Sequence, residues 1–558
     1  MAVLGSKLLY DTTQFVLSLL CIGLEVVDMR SYLFTRLLVV SALQAAVLAT
    51  GMVSGPALAG SPQAQAPVEV AQSLHQDVSS PLRDVPVSPS AHNLTERPLR
   101  QPGVNNGAAF VQPDPVLQQS APAPLAGTVA SGFAGVGNGD YGFAPNAAPP
   151  DTNLAVGATQ IVQWVNESFI VFDKATHAVL KGPIAGNSLW SGFGGGCQTN
   201  NDGDPIVQYD QAANRWVMTQ FSVSTTPYLQ CVAVSTSADA TGTYNRYSYS
   251  YGSQFPDYPK LGIWSDAYYI TYNIFNNGNT FAGPKTCAWD RAAMLAGTAA
   301  TQVCFQLGTS VNSLLPADLD GITNPPANTP NYQLSLGTNS LNVYKFHVDF
   351  ATPANSTITG PTNLAVPAFS RACNGGTCIP QSGTRQQLDS LADRLMYRLA
   401  YRVQTSGVET LVVNHSVTVS KNTGIRWYEI RVAGGTPSVY QSGTFSPDTK
   451  FRWMGSIAMD KVGNIGVGYS ESSSTSFPSI AFTGRVPTDP LGALQAETLL
   501  KAGGGAQQRN LSRWGDYSAM QLDPTDDCTF WFTTEYLKSN GTFNWSTWIS
   551  AVKFPSCN

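Results

Sequence analysis

From about residue 126 onward the apolar positions come in short runs that end at Gly, Pro, Asn or Asp. Ile161-Val162-Gln163-Trp164-Val165 and Phe169-Ile170-Val171-Phe172 are typical, being β-branched or aromatic over four or five positions. Runs of that length and composition predict β-strands rather than helices. Asp173-Lys174-Ala175-Thr176-His177 follows as a hairpin turn, which makes His177 a solvated turn residue first. Two stretches look helical: residues 290–297, bounded by an N-cap Asp and a terminal Gly, and residues 385–394.

The pattern before residue 126 is different. Arg30 and Arg36 precede an apolar run over residues 37–53, and Ala57-Leu58-Ala59 supplies the small residues a signal peptidase needs, so residues 29–59 read as a signal peptide cut after Ala59. A single membrane anchor is the alternative, but Gln44, Gly51 and Pro56 interrupt the run and no second span follows, so no stable membrane insertion is expected after cleavage. Residues 1–28 hold another apolar stretch, broken by Glu25, and read as a gene-model extension ahead of a start at Met29. Residues 60–125 are rich in Pro, Gln, Ser and Ala with few aromatics, which predicts a disordered spacer or pro-segment. Residues 126–558 then form one all-β domain.

Within that domain a weak repeat recurs, each unit opening with an Asp- or Arg-bearing turn before an apolar strand and an aromatic hairpin. Asp151, Asp204, Asp257, Asp320, Asp389, Arg452 and Arg513 open the units, at intervals of 53, 53, 63, 69, 63 and 61 residues. Seven units of that size predict a seven-bladed β-propeller of four-stranded blades, with six blades or paired β-sandwiches as alternatives.

Composition narrows the function classes. Only 12% of residues are charged, 10% are aromatic and the net charge is −5; ordinary soluble domains carry about a quarter charged residues. No Lys/Arg run is present, which argues against nucleic acid and against an anionic membrane surface. Of nine cysteines, Cys21 lies in the leading segment. The other eight fall as near neighbours, Cys197 with Cys231, Cys287 with Cys304, Cys373 with Cys378 and Cys528 with Cys557, predicting four local disulfides in an exported, oxidised protein.

Three blocks carry a family resemblance: Gly203-Asp204-Pro205-Ile206-Val207-Gln208-Tyr209-Asp210 with Arg215-Trp216, Phe255-Pro256-Asp257-Tyr258-Pro259-Lys260-Leu261-Gly262 with Trp264, and Arg513-Trp514-Gly515-Asp516-Tyr517. They resemble secreted bacterial β-propeller proteins similar in blade plan to the sialidase-like (BNR/Asp-box-like) superfold. The resemblance covers most of residues 150–550 and implies fold and compartment, not a reaction. Sialidases carry an Arg-Ile-Pro block and several Asp-boxes. This chain has only degenerate echoes of those boxes, at residues 237–244 and 460–466, so the resemblance does not extend to sialidase activity.

Blade-opening side chains converge near a propeller axis, so Asp151, Asp204, Asp257, Asp320 and Asp516 are expected to ring one funnel, with Asp151, Asp204, Asp257 and Asp516 as catalytic candidates. Paired carboxylates there suit acid–base or nucleophilic glycoside cleavage. Arg452 and Arg513, with Arg385, would clamp a carboxylated sugar, and Trp264, Trp453 and Trp514 would stack on sugar rings. The competing reading makes each Asp a turn cap and packs each Arg on a neighbouring blade's aromatic ring. Acidic stretches at residues 201–204, 318–320 and 523–527 offer oxygen ligands for a structural Ca2+, without an EF-hand pattern and with no ligand set to name. No HExxH, GxSxG or phosphate-binding loop is present.

Two functions follow as expectations. One is a secreted, monomeric carbohydrate-active propeller, a glycoside hydrolase or polysaccharide lyase acting on extracellular polysaccharide or glycoconjugate. The other is a non-catalytic lectin-like or adhesive module.

Overall fold

A computed structural model describes residues 66–86, 94–103 and 113–558. The short β-branched and aromatic runs are strands, and they sort into seven four-stranded antiparallel arrays in chain order. The first is Thr152–Val156, Gln160–Val165, Ser168–Asp173 and Val179–Ala185. The second is Ile206–Asp210, Arg215–Ser222, Tyr228–Ser235 and Tyr244–Gly252, and the third Gln254–Ile263, Ala267–Asn276, Thr280–Asp290 and Thr301–Gln306. The fourth is Leu315–Leu319, Asn331–Gly337, Ser340–His347 and Thr357–Ala365, and the fifth Met396–Val403, Glu409–Val419, Asn422–Ala433 and Thr436–Phe445. The sixth is Phe451–Met459, Ile465–Ser473, Ser476–Arg485 and Thr498–Lys501.

The seventh array takes three strands from the C-terminal end, Ala519–Leu522, Thr529–Leu537 and Trp545–Lys553, and its fourth, Thr128–Ala134, from far earlier in the chain. The fourth and fifth arrays are joined by a short parallel pairing, Ala317 opposite Leu399. In each array the first strand lies against the first strand of the next, and that of the seventh lies against that of the first. The arrays therefore form a closed ring with their first strands innermost. Apolar side chains pack between neighbouring arrays: a Cβ on Gly468 would sit 2.5 Å from the Phe532 ring, so only glycine lets the sixth and seventh approach this closely.

The four disulfides pair as the spacing predicted, Cys197–Cys231, Cys287–Cys304, Cys373–Cys378 and Cys528–Cys557. The helix at Arg291–Ala296 forms, capped by Asp290, whose carboxylate accepts the Ala293 N–H, and by left-handed Gly297. Residues 385–394 are not helical: Leu388–Asp389 is a short strand and Arg394 is buried. Among the described residues no helix is long and apolar enough to cross a membrane.

The spacer expectation for residues 60–125 needs correction wherever the chain is described. Val68–Gln72 adds a fifth strand to the third array, His75–Val78 a fifth to the second, and Leu117–Gln118 pairs alongside the fifth. Edge addition needs only backbone hydrogen bonds, so a segment poor in aromatics can still order on a preformed sheet. The described residues accordingly belong to one compact unit. The readings for residues 1–28 and 29–59 fall outside the described residues.

Candidate functional site

At or just before each innermost strand one residue takes the left-handed conformation: Asp151 (φ 44°), Asp204 (46°), Tyr258 (56°), Ser313 (48°), Leu391 (44°), Met454 (53°) and Gly515 (116°). Asp tolerates that region, whereas for bulky Tyr258, Leu391 and Met454 it costs on the order of 1–2 kcal/mol each. The repeat is thus a backbone turn, and its side chain varies from array to array.

Four of the predicted carboxylates meet at this ring. Asp151 Oδ1 accepts the Asp516 N–H at 2.6 Å, and its Oδ2 accepts from Asn166 Nδ2 at 2.9 Å. Asn166 Oδ1 accepts the Asp204 N–H at 3.2 Å, and Asp204 Oδ2 accepts the Tyr258 N–H at 3.2 Å. This chain of hydrogen bonds links the seventh, first, second and third arrays. Asp516 is ion-paired with Arg513. Asp257 neighbours Asp204 and Asp516 electrostatically.

Three cations sit among them. Lys260 is fully buried, its Nζ 3.4 Å from the Tyr258 ring centroid and 4.2 Å from that of Tyr517, donating to the Pro259 carbonyl at 2.8 Å. Arg394 lies 4.5 Å over the Tyr258 ring and forks onto Asp393. Arg513 is the third.

Crowding and burial separate the protonation states. Burial first, then the charges of Asp204 and Asp516, push the Asp257 carboxyl up to about 8, against the pull of Arg100 and Arg394. Burial also raises Asp151 and Asp204. Asp516 is half-buried, but Arg513 and Arg394 outweigh the desolvation and hold it below the usual range. Burial brings Lys260 down to about 7 although Asp204 and Asp516 oppose it. Burial and mutual repulsion thus favour the neutral form of Asp257 while the arginines favour the charged form of Asp516, the kind of division acid–base catalysis uses.

The remaining predicted residues lie elsewhere. Trp264, Trp453 and Trp514 are at most 1% exposed. Trp264 donates to the Thr329 carbonyl and packs edge-on to Tyr401, while Trp453 lies 5.8 Å from Trp514, whose indole donates to Ser470. None of the three offers a ring face to a sugar. Arg452 is buried between Glu497 and Asp448 with its guanidinium 5.6 Å from the Phe445 ring, the packing role weighed against a clamp. Arg385 is exposed. Asp320 follows the strand that Ser313 precedes, so it sits at the other end of that strand, paired with Arg398.

The acidic stretches are occupied by protein partners. Asp202 caps Val223 and Ser224, Asp523 pairs with Lys174, Asp526 with Lys553 and Asp527 with Arg402. Among the described residues no three acidic, His or Cys side chains are grouped to hold a metal ion, which leaves the calcium expectation without a ligand set. The sequence reading missed Lys260 and Arg394. Lys260 lies inside the Pro-Asp-Tyr-Pro-Lys block and was visible there; Arg394 was hidden by its helix-like neighbours.

No protein-family model matches the chain. No curated protein matches it either. Among solved structures, the N-terminal domain of Nup159 aligns at 9% identity over 78% of this chain and 99% of that one, with a TM-score of 0.34. The exo-beta-1,3-galactanase 1,3Gal43A from Clostridium thermocellum aligns at 10% identity over 73% and 91%, TM-score 0.31, and the Trypanosoma rangeli sialidase at 11% over 63% and 54%, TM-score 0.30. Likenesses of that size carry no argument about fold or activity.

Proposed function

We propose that the seven arrays are the blades of a seven-bladed β-propeller exported to an oxidising compartment, and that its axial carboxylates cleave extracellular glycans, as a glycoside hydrolase or polysaccharide lyase. The observation that carries this reading is the meeting of Asp151, Asp204, Asp257 and Asp516 with their protonation states driven apart. Asp257 is the proton donor to the departing glycosidic oxygen, because its carboxyl stays neutral at pH 7. Asp516, whose charged form Arg513 and Arg394 favour, serves as base or nucleophile on the opposite side of the sugar ring. Arg513, whose Nη1 has no hydrogen-bond partner, is the cation left to meet a uronate carboxylate. The four disulfides suit the compartment.

The test is a panel of plant, bacterial and host polysaccharides, read for reducing ends and unsaturated products, with Asp257→Asn and Asp204→Asn beside the wild type. Activity falling at least about a hundredfold in folded Asp257→Asn supports the assignment; cleavage that survives in both variants rejects it. A second reading, a non-catalytic glycan-binding module, is favoured by one observation: Asp151 and Asp204 both accept backbone N–H groups across array boundaries, as turn caps do. Retention of a glycan without cleavage would select it.

A further inference from the structure

Residues 94–103, Leu-Thr-Glu-Arg-Pro-Leu-Arg-Gln-Pro-Gly, run beside the carboxylate cluster as an extended peptide. Thr95–Glu96 pairs in parallel with Ala147–Ala148, three residues ahead of Asp151, and the Arg97 N–H donates to the Ala148 carbonyl at 2.7 Å. The Arg97 side chain is ion-paired with Glu167, and its own carbonyl accepts from Arg513 Nε at 3.3 Å. Leu99 packs against the main apolar core. Arg100 lies 3.9 Å over the Phe255 ring and donates to the Gly278 carbonyl at 3.2 Å.

The Arg97 carbonyl meets Arg513, the partner of Asp516, and Arg100 stacks on Phe255, two residues ahead of Asp257, so that their charges favour the ionised forms of Asp204 and Asp257. Strand addition, a carbonyl contact from the site's own Arg513, an aromatic platform and acidic neighbours for two guanidinium groups are the parts of a peptide-recognition site.

We infer that the axial mouth is a binding site for an extended peptide bearing arginines at positions i and i+3, that residues 94–103 fill it in cis, and that their withdrawal uncovers Asp204 and Asp257. The inference needs no substrate. It concerns what occupies the site, so it stands or falls separately from glycan cleavage.

The experiment is carboxyl labelling of the intact chain with a carbodiimide and glycine ethyl ester, read residue by residue by mass spectrometry, with exposed Asp84 as internal standard. Two variants accompany the wild type: Arg97→Ala/Arg100→Ala, and Arg100→Gln, which leaves the Glu167 ion pair in place. Melting curves confirm that each is folded. Labelling of Asp257 should rise several-fold over the Asp84 standard in both variants, and of Asp204 in the double variant. A synthetic peptide of residues 94–103 added in trans should restore protection, and the same peptide with both arginines replaced by Gln should not. Labelling of Asp257 in the wild type as fast as Asp84 would overturn the inference. So would variants that label like the wild type, or protection that the Gln peptide restores equally well.

Discussion

The carboxylate of Asp151 accepts the backbone N–H of Asp516 at 2.6 Å, across the boundary where the first array meets the last. Through Asn166 the same carboxylate is connected to Asp204 and so to the Tyr258 N–H. Ring closure and candidate chemistry share these atoms, so a substitution here has to be read for stability before it is read for activity.

Asp151→Ala removes the acceptor for two buried donors and places a Cβ-bearing, non-Asx residue at φ 44°. Leaving buried donors unpaired costs about 1–3 kcal/mol each, and a total loss of roughly 2–4 kcal/mol is expected. Asp151→Asn keeps an acceptor and tolerates the left-handed turn, so it should lose less. Urea unfolding with an unchanged slope measures both. Equal midpoints for wild type and Asp151→Ala would mean that the first and last arrays are held together without this contact.

Asp257 makes stability depend on pH in a direction opposite to that of an ordinary paired carboxylate. Its folded-state value is about 8, while an unfolded Asp titrates near 3.9. Between those values the folded chain binds the extra proton, so stability falls as pH rises through the window and levels off above it. Asp257→Asn cannot titrate. Its stability relative to wild type should therefore grow from pH 4 to pH 8 and stay constant beyond, measured by denaturant unfolding at several pH values. A difference that is flat over that range would show that Asp257 is ionised in the folded protein.

Two of the strands ahead of the first array lie along outer edges of the ring. Val68–Gln72 covers Thr301–Gln306, and His75–Val78 covers Tyr244–Gly252. Two ion pairs go with them, Glu69 to Lys285 and Asp77 to Arg246. Deleting residues 1–86 should leave the ring folded, because Thr128–Ala134 still completes the seventh array. The melting temperature should drop by a few degrees, and the Val303 and Tyr247 amide regions should exchange hydrogen faster. Unchanged exchange there would remove the edge strands from any role in solution.

What was legible in the sequence follows from what each interaction demands. Hydrophobic alternation is enforced by burial, so Ile161 to Val165 and the other core runs could be read directly as strands, and near-neighbour cysteines marked local crosslinks. Asp151 and Asp204 were visible because the turn they occupy favours Asp, and Asp257 because it stands next to Tyr258, the left-handed residue of the third array. At the fourth array the turn falls on Ser313 instead, and Asp320, the acidic residue at the repeat spacing, belongs to the far end of the strand. Trp264, Trp453 and Trp514 looked like sugar platforms because composition does not distinguish a rim aromatic from one buried between arrays. The edge strands near Val68 and His75 left only a short, mostly polar signature, since much of their hold on the ring is backbone hydrogen bonding.

The last prediction concerns Cys528 and Cys557, which close the end of the chain back onto the seventh array, 29 residues apart. Loop-closure entropy assigns a crosslink of that span roughly 3–4 kcal/mol, and one spanning five residues, as Cys373 and Cys378 do, about 2 kcal/mol. Position adds to the difference. The strand Trp545–Lys553 is the one onto which Thr128–Ala134 docks, so freeing the residues that follow it loosens the closure of the ring at that pairing. Cys528→Ser/Cys557→Ser should thus lower stability more than Cys373→Ser/Cys378→Ser, and only the former should speed hydrogen exchange at Thr128–Ala134. If both double variants lose the same stability and leave that strand equally protected, the ring is closed by main-chain pairing alone and the disulfide merely secures the chain end.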